Sequence, residues 1–582
     1  MKNTLVSLTI TALSLSSFSA AAQVAELPTG QVGNVTSVMK VQPVLRMGYG
    51  LEHESPLSNV HLLSGAPYAP VVIELDKGLI VFSTGDDADE GAQYRQYIRA
   101  NISDKPIIAV FYDHNHYTKG TQTLLDGDNA EIYAHPDLHK IISARTGDSQ
   151  SNTEIPEMAP HLLARASIHY GNHADKSGSD ASIVPSNIKF GAENGYLEPT
   201  QILGHGESVT IEGLEIQAFI HDTDTKDTLT FWIPEYELIV DNVVWPFHNM
   251  YTLRGDAYRA PHTWLGGLRD IRDLEPEIVL NVGGGAKALV GKENIQQTIN
   301  AVLDSQSYVY DQSIRLTNLG VAPNQIHHHV EMPTTFNEHP YVNNMYGQFD
   351  TFFAAFPVRN HGNFSGHPDD LHTMEKVEKA HRLIKLSGGV DKVYEAWQTA
   401  IQKGETIWAK ELSTMLYYNA PDNDVARQAH ADSLRKLGQE SEGLIARNFY
   451  MAGVKSLETS DSDVSLMASP SASWVASDPE TAIDYLRTRL NPAKAANISG
   501  KLGFIVDGKE MQLEMRNRVA EFSTTIADDA EVIKISGEKL GQYYDGTIAA
   551  SDIASGKALE LLSHFDEYKP VTMYPRSFTH LQ

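Results

Sequence analysis

The sequence predicts three units in series: a layered α/β domain, an all-α segment and a small α+β domain. Strand-like apolar runs alternate with loops from Met39 to about Asn344, the apolar period turns helical from about Pro368 to Leu457, and strand alternation returns around Asp507-Gly508. A chain of 582 residues is long for a single domain, since domains run to roughly 100–200 residues.

In the first unit, Val71–Leu75 and Gly78–Phe82 read as a hairpin joined at Asp76-Lys77, followed by a polar helix near Glu90–Asn101. Pro106–Tyr112 is an unbroken apolar run, which suits a strand buried on both faces. Ser208–Ile220, Thr228–Ile233, Glu237–Val240 and Ile278–Leu280 continue the strand pattern, and interleaved helices make the unit a layered α/β domain. The stretch His173–Glu198, rich in Ser, Asn, Gly and Asp, reads as a loop over a cleft. In the second unit, Val377, Ala380, Leu383 and Ile384 share one helical stripe, and Ala409, Leu412 and Leu416 share another. Paired antiparallel helices follow from that spacing, broken at Pro421. Trp397, Trp408, Leu416 and Tyr417 are more apolar surface than one helical layer covers, so a homodimer through about 368–457 is expected. Ser-rich Glu458–Ser473 reads as a linker. Beyond it, Lys501–Val506 and Glu510–Met515 flank the turn pair Asp507-Gly508, and Glu531–Ile535 adds a strand.

Acidic residues number 74 against 46 basic, a formal charge of −28, with no basic stripe. Nucleic acid and anionic membrane surfaces are therefore excluded as partners. There is no cysteine, so any metal must be held by His, Asp and Glu. Lys2, the apolar Leu5–Leu15 and the small residues Ala20 and Ala22 have the form of a signal peptide over residues 1–22. No later run reaches the roughly 18 apolar residues of a membrane helix. A soluble protein, periplasmic or secreted, is expected, either a hydrolase or a binding protein.

The sharpest local feature is Tyr112–Gly120. His114 and His116 lie two apart at the end of the buried run, where extended backbone would point both the same way, toward one cation or merely into a polar loop. A second feature runs from Asp241 to Gly255: Asp241 closes a strand, and Arg254 offers a fork of donors suited to carboxylate, sulfate or phosphate, or to a structural carboxylate. Arg165 and Tyr170 lie in Arg165–Gly171, which resembles a cleft-lining segment of a known enzyme family, or else they pack. His327-His328-His329 is a metal tract or a helix-to-helix connection, and His361, His367 and His372 lie in polar sequence that makes a loop or a weak surface site.

Together these stretches resemble the exported alkylsulfatases of the metallo-β-lactamase superfamily. Met47–Gly50, Ile73–Ser83, Asp104–His116, Ala166–Asn172 and Ser307–Val330 fall in family order, and His248–Gly255 is close to the family's His-Asn-Leu-Tyr-Thr-Leu-Arg-Gly. The resemblance implies a metallo-β-lactamase-like αββα sandwich at 39–345, a helical dimerisation domain at 346–457 and a sterol-carrier-protein-like domain at 474–582, the last offering an apolar cavity for alkyl chains. It also implies a two-zinc hydrolase of sulfate esters. The family's metal loop is His-x-His-x-Asp-His; His114 and His116 match its first half, whereas Thr118 and Lys119 replace the Asp and His of its second half. A later family His falls within Asn281–Ala286, where this chain has none. Asp224 and Asp241 stand for two family glutamates, one of them bridging.

These departures give the expectation of one zinc per chain, held by His114, His116, Asp224 and Asp241, with Arg254, Asn249 and Tyr170 on the substrate. Lys119 is expected in the vacated second position, paired with Asp241 or Asp113, or else turned to solvent. The expected function is hydrolysis of a small-molecule sulfate or related ester with an alkyl or aryl group. The alternative is a catalytically silent homologue that binds a hydrophobic or anionic ligand.

Overall fold

The computed structural model of the chain describes residues 40, 44, 51–64, 68–143, 155–183, 194–255, 258–459, 464–469 and 472–578. The signal-peptide segment, Met47–Gly50 and the middle of the His173–Glu198 loop lie outside the described residues.

Two sheets face each other in the first unit. The first has the order β1 (Glu52–Leu57), β2 (Val60–Ser64), β3 (Val71–Glu74), β4 (Leu79–Phe82), β5 (Ile107–Phe111), β6 (Glu131–Ala134), β7 (Gln201–Ile202). Its first four strands pair antiparallel and the rest parallel, in keeping with the unbroken apolar run of β5, which is covered on both faces. The second sheet runs from β8 (Ser208–Ile211), β9 (Leu214–Ile220), β10 (Leu229–Ile233) and β11 (Leu238–Asp241) to β12 (Ile278–Asn281) and β13 (Leu289–Val290). The expected single strand Ser208–Ile220 is a hairpin instead. Glu212 and Gly213 both take left-handed φ, 50° and 92°, which matches the twist of a two-residue turn.

Ile73, Phe82 and Phe111 of the first sheet meet Ile216, Phe231 and Val240 of the second in one fully buried core. Phe111 lies 4.9 Å from Phe82 and 5.2 Å from Phe231 between ring centroids, so aromatic packing joins the sheets. The outer face of the first sheet is covered by the helix Ala88–Asn101, through Tyr94 and Ile98, and by Leu124 and Leu138. The helices Pro261–Asp273 and Lys292–Asn318 cover the second. The layers are therefore α, β, β, α.

The helical segment follows the stripes read from the sequence, in helices Lys376–Leu386, Val390–Lys403, Thr406–Asn419, Asp424–Glu440 and Leu444–Glu458. Its aromatic residues are used differently from expectation. Trp397, Leu416 and Tyr417 are buried within the protomer, where Trp397 donates to Ser433 Oγ and Tyr417 to the Pro575 carbonyl. Only Trp408 of the four remains exposed, beside Ile407 and with Leu386, which is 83% exposed. The Ser-rich stretch is also less free than a linker: Val464 is fully buried, and Leu466 N–H donates to Val571 O at 2.6 Å. Arg427, 1% exposed, donates to the carbonyls of Leu457, Ser456, Pro421 and Tyr574 and ties the helices to the C-terminal segment. The last unit is a sheet in the order β16 (Val519–Ser523), β15 (Lys509–Arg516), β14 (Gly500–Val506), β17 (Glu531–Ile535), packed by the helices Gly537–Tyr544 and Gly556–Leu562.

Candidate functional site

The site begins where β5 ends. His114 is extended, at φ −164° and ψ 178°, but Asn115–Tyr117 is a 3-10 turn and not continued strand. Strand alternation is therefore not what unites the two imidazoles. The turn swings His116 back, so that His116 Nδ1 lies 3.0 Å from His114 Nε2. Asp224, from the loop between β9 and β10, completes the group with Oδ2 at 3.3 Å from His116 Nδ1 and 4.0 Å from His114 Nε2. Among the described residues these three form the one cluster of His, Asp or Glu with metal-ligand spacing, and all three are buried. Donors bound tetrahedrally at about 2.0–2.1 Å from zinc stand roughly 3.3 Å apart. The observed separations bracket that value, so the donor set fits a small divalent cation.

The surroundings hold each ligand in place. Asp113 accepts from Ser83 Oγ at one oxygen and bonds His114 Nδ1 at the other, which turns His114 Nε2 toward the cluster. Asp224 Oδ1 accepts from Asn242 Nδ2 at 2.8 Å and from Thr223 Oγ1 at 3.1 Å. Asn115 Nδ2 donates to Asp227 at 2.6 Å and fixes the turn between the histidines. Burial alone would lower the His114 pKa, but the charges of Asp113 and Asp224 override it and push it up to about 9. Asp224 is subject to the converse balance: burial raises its pKa, and His114 and His116 hold it far below the usual carboxylate range.

Asp241 stands apart from this cluster. Its Oδ1 accepts from the backbone of Val243 and Val244 and from Asn281 Nδ2 at 3.1 Å, so it caps the turn after β11. Its Oδ2 is buried without a hydrogen-bond partner, and burial pushes its pKa up to about 6. Thr118 is buried, with Oγ1 donating to Asn115 O, and it bridges to Gly85. Lys119 is half-buried, and its backbone N–H donates to Gly85 O at 3.1 Å. Among the described residues the carboxylates of Asp113 and Asp241 take the partners just given and not Lys119, so the expected ion pair is not formed.

Arg254 is 2% exposed, and its Nη1 donates to Tyr170 Oη at 3.0 Å. Asn249 is buried, with Oδ1 lacking a hydrogen-bond partner among the described residues. Arg165 packs and does not reach this cleft: its guanidinium donates to the carbonyls of Leu253 and Arg254 and holds their loop. Three further residues escaped the sequence reading. Arg259, 5% exposed, donates to Asn249 O at 2.6 Å, and its charge helps lower the Asp224 pKa. His169 Nε2 bonds Tyr346 Oη at 2.8 Å; burial and then Arg254 and Arg259 hold this imidazole neutral. Arg259 lies five residues beyond Arg254 and His169 directly precedes Tyr170, so proximity to residues already singled out was the available signal; Tyr346 carried none. His327–His329 form a 3-10 turn after the long helix, the connection reading, His361 ends a helix, and His367 bonds Gly320 O.

The comparisons with known proteins agree with this architecture. A family model described as alkyl sulfatase dimerisation matches residues 322–460. A linear primary-alkylsulfatase of Pseudomonas sp. is 27% identical over 507 residues, covering 83% of this chain and 93% of the relative. An (R)-specific secondary-alkylsulfatase of Pseudomonas sp. is 24% identical, with 84% and 73% covered. Among solved structures, a stereoselective inverting sec-alkylsulfatase of Pseudomonas sp. superposes with a TM-score of 0.71 at 20% identity, over 92% of this chain and 87% of that one.

Proposed function

The chain is a homologue of the alkylsulfatases of the metallo-β-lactamase superfamily, and on that footing we propose that it hydrolyses sulfate esters of alkyl or aryl alcohols with a single zinc ion. The observation that carries this reading is the conjunction of a buried His114–His116–Asp224 donor set with two buried guanidiniums, Arg254 and Arg259. A sulfate monoester is an anion, and an anion enters a buried site only where fixed positive charge or donors replace its water. Arg254, positioned by Tyr170, is the residue to take the sulfate oxygens, and its planar fork suits them. Arg259 adds a second positive charge and braces Asn249 through its carbonyl. A largely apolar cavity of about 230 Å³ runs from Arg259 past Tyr251, Tyr258, Ala354 and Phe356, which supports an apolar alcohol part.

Zinc bound by His114, His116 and Asp224 would supply Lewis acidity and a lowered pKa for water. The protein's own part is to orient both imidazoles and Asp224 toward one point, to hold the anionic group on Arg254, and to exclude bulk water from a site whose ligands are all buried. Thr118 and Lys119, in place of the second half of the metal loop, support one ion and not two. The signal-peptide form of residues 1–22 supports export to the periplasm or medium, and no helix among the described residues is long and apolar enough to cross a membrane. The exposed Leu386, Ile407 and Trp408 support a homodimer through the helical segment.

The test is turnover on a panel of alkyl and aryl sulfates, phosphates and carboxylic esters with added zinc. Sulfates should be cleaved in preference to the neutral esters. Binding of sulfates without turnover of any ester would favour the silent homologue, which the loss of the second metal half-site makes the natural rival.

A further inference from the structure

Far along the sequence from the cluster, the β1–β2 hairpin carries another pair of facing imidazoles. The strands pair antiparallel with His53 opposite Leu63, and the register slips between Glu54 and Leu57. Such a bulge re-aims the side chains beside it. His53 and Ser55, two apart on β1, already share a face, and the 53–63 and 54–62 pairing carried one step further sets Ser55 opposite His61, just before the slip. His53 Nε2 lies 3.0 Å from His61 Nδ1, and Ser55 Oγ lies 3.1 Å from the first and 3.0 Å from the second.

The result is a near-equilateral triangle of three donor atoms. The nitrogen separation equals that of His114 and His116, also 3.0 Å. The rings are held in place: His61 is 8% exposed, and His53 packs edge-on against Tyr97 with centroids 5.8 Å apart. Burial lowers the pKa of both imidazoles, with Glu74, itself paired to Lys105, opposing it at His61. Both rings are therefore neutral near pH 7, the state in which imidazole ligates metals. Ser55 is exposed, so one side of the triangle is open to water that would complete the coordination.

We propose that His53 Nε2, His61 Nδ1 and Ser55 Oγ form a second cation site, for a borderline divalent transition ion of the zinc, nickel or copper class. A bound ion clips the bulge of β1 to β2. The site is weaker than the buried cluster, because no carboxylate contributes charge and one face is solvated.

The experiment uses the full chain stripped with a chelator and titrated with zinc alone by calorimetry. The parent should show a tight and a weaker event. His61→Gln and His53→Gln should each weaken the second event at least tenfold and leave the tight one, and His116→Ala should remove the tight event and leave the weaker. Copper added to His116→Ala gives a second readout, an electron paramagnetic resonance spectrum with coupling to imidazole nitrogen that disappears in His116→Ala/His61→Gln. A single event in the parent, or a weaker event and a copper spectrum indifferent to both histidine changes, overturns the proposal. His53 is partly exposed, so its replacement does not depend on the fold tolerating a core change.

Discussion

Gly283→Ala is expected to weaken metal binding without touching a ligand. Gly283 follows β12, and a Cβ placed on it would stand 1.6 Å from Asn242 Oδ1 and 2.7 Å from Asn242 Cγ. At that distance the Asn242 amide must move. That amide donates to Asp224 Oδ1 at 2.8 Å and accepts from Trp245 Nε1 at 3.0 Å, all of it buried. Its displacement leaves a buried carboxylate oxygen short of a donor and the ligand free to rotate. Loss of such an outer partner lowers metal affinity about 10–100-fold, or roughly 1.4–2.8 kcal/mol. Asn242→Ala removes the same donor directly and should fall in the same range. Gly266→Ala is the control, since a Cβ there meets nothing within 4 Å. The assay is a zinc titration against a competing chelator, with circular dichroism to confirm folding. If both folded variants bind zinc as tightly as the parent, Asn242 does not orient Asp224 and the described ligand set is wrong.

Arg254→Ala should weaken binding of a sulfate-headed ligand by about 10–150-fold, the worth of a charge-assisted hydrogen bond of roughly 1.5–3 kcal/mol, with zinc content unchanged by metal analysis. The metal-free protein should lose stability as pH rises. His114 has its pKa raised above the ordinary imidazole value to about 9, so its contribution is full below pH 6.5 and disappears as pH passes 9. Thermal unfolding between pH 7 and 9 should show a falling midpoint for the stripped protein and a nearly flat one with zinc; parallel curves would contradict that charge assignment. Ile407→Asp with Trp408→Asp adds charge to the exposed apolar surface of the helical segment, where these residues are 66% and 52% exposed. Light scattering should then report the mass of one chain where the parent gives two.

The layer order was legible because each layer leaves its own period. The apolar run of β5 marks a doubly covered strand, and Asp507-Gly508 marks a hairpin, since both are local devices. The hairpin β8–β9 was missed because Glu212-Gly213 lies in an otherwise continuous alternation. Burial between helices is not a local property, which is why Trp397, Leu416 and Tyr417 read as surface until their partners Ser433 and Pro575 were in place. At the site, His114 and His116 could be read from spacing and position, though their convergence comes from a turn. Asp241 was expected as a ligand because it stands for the family's bridging glutamate; only the fold shows its Oδ1 engaged by Val243, Val244 and Asn281, with Oδ2 left without a hydrogen-bond partner. Tyr346 meets Tyr170, Arg254 and Arg259 from a loop far along the chain, a juxtaposition that no spacing rule encodes.

Sulfate release from dodecyl sulfate, followed as zinc is added to the stripped protein, bears most directly on the function. Release should rise with zinc, level off when one tightly bound ion per chain is reached, and be absent from Asp224→Ala at every zinc concentration. No release from the zinc-loaded parent, or equal release from Asp224→Ala, would contradict a sulfate ester hydrolase built on His114, His116 and Asp224.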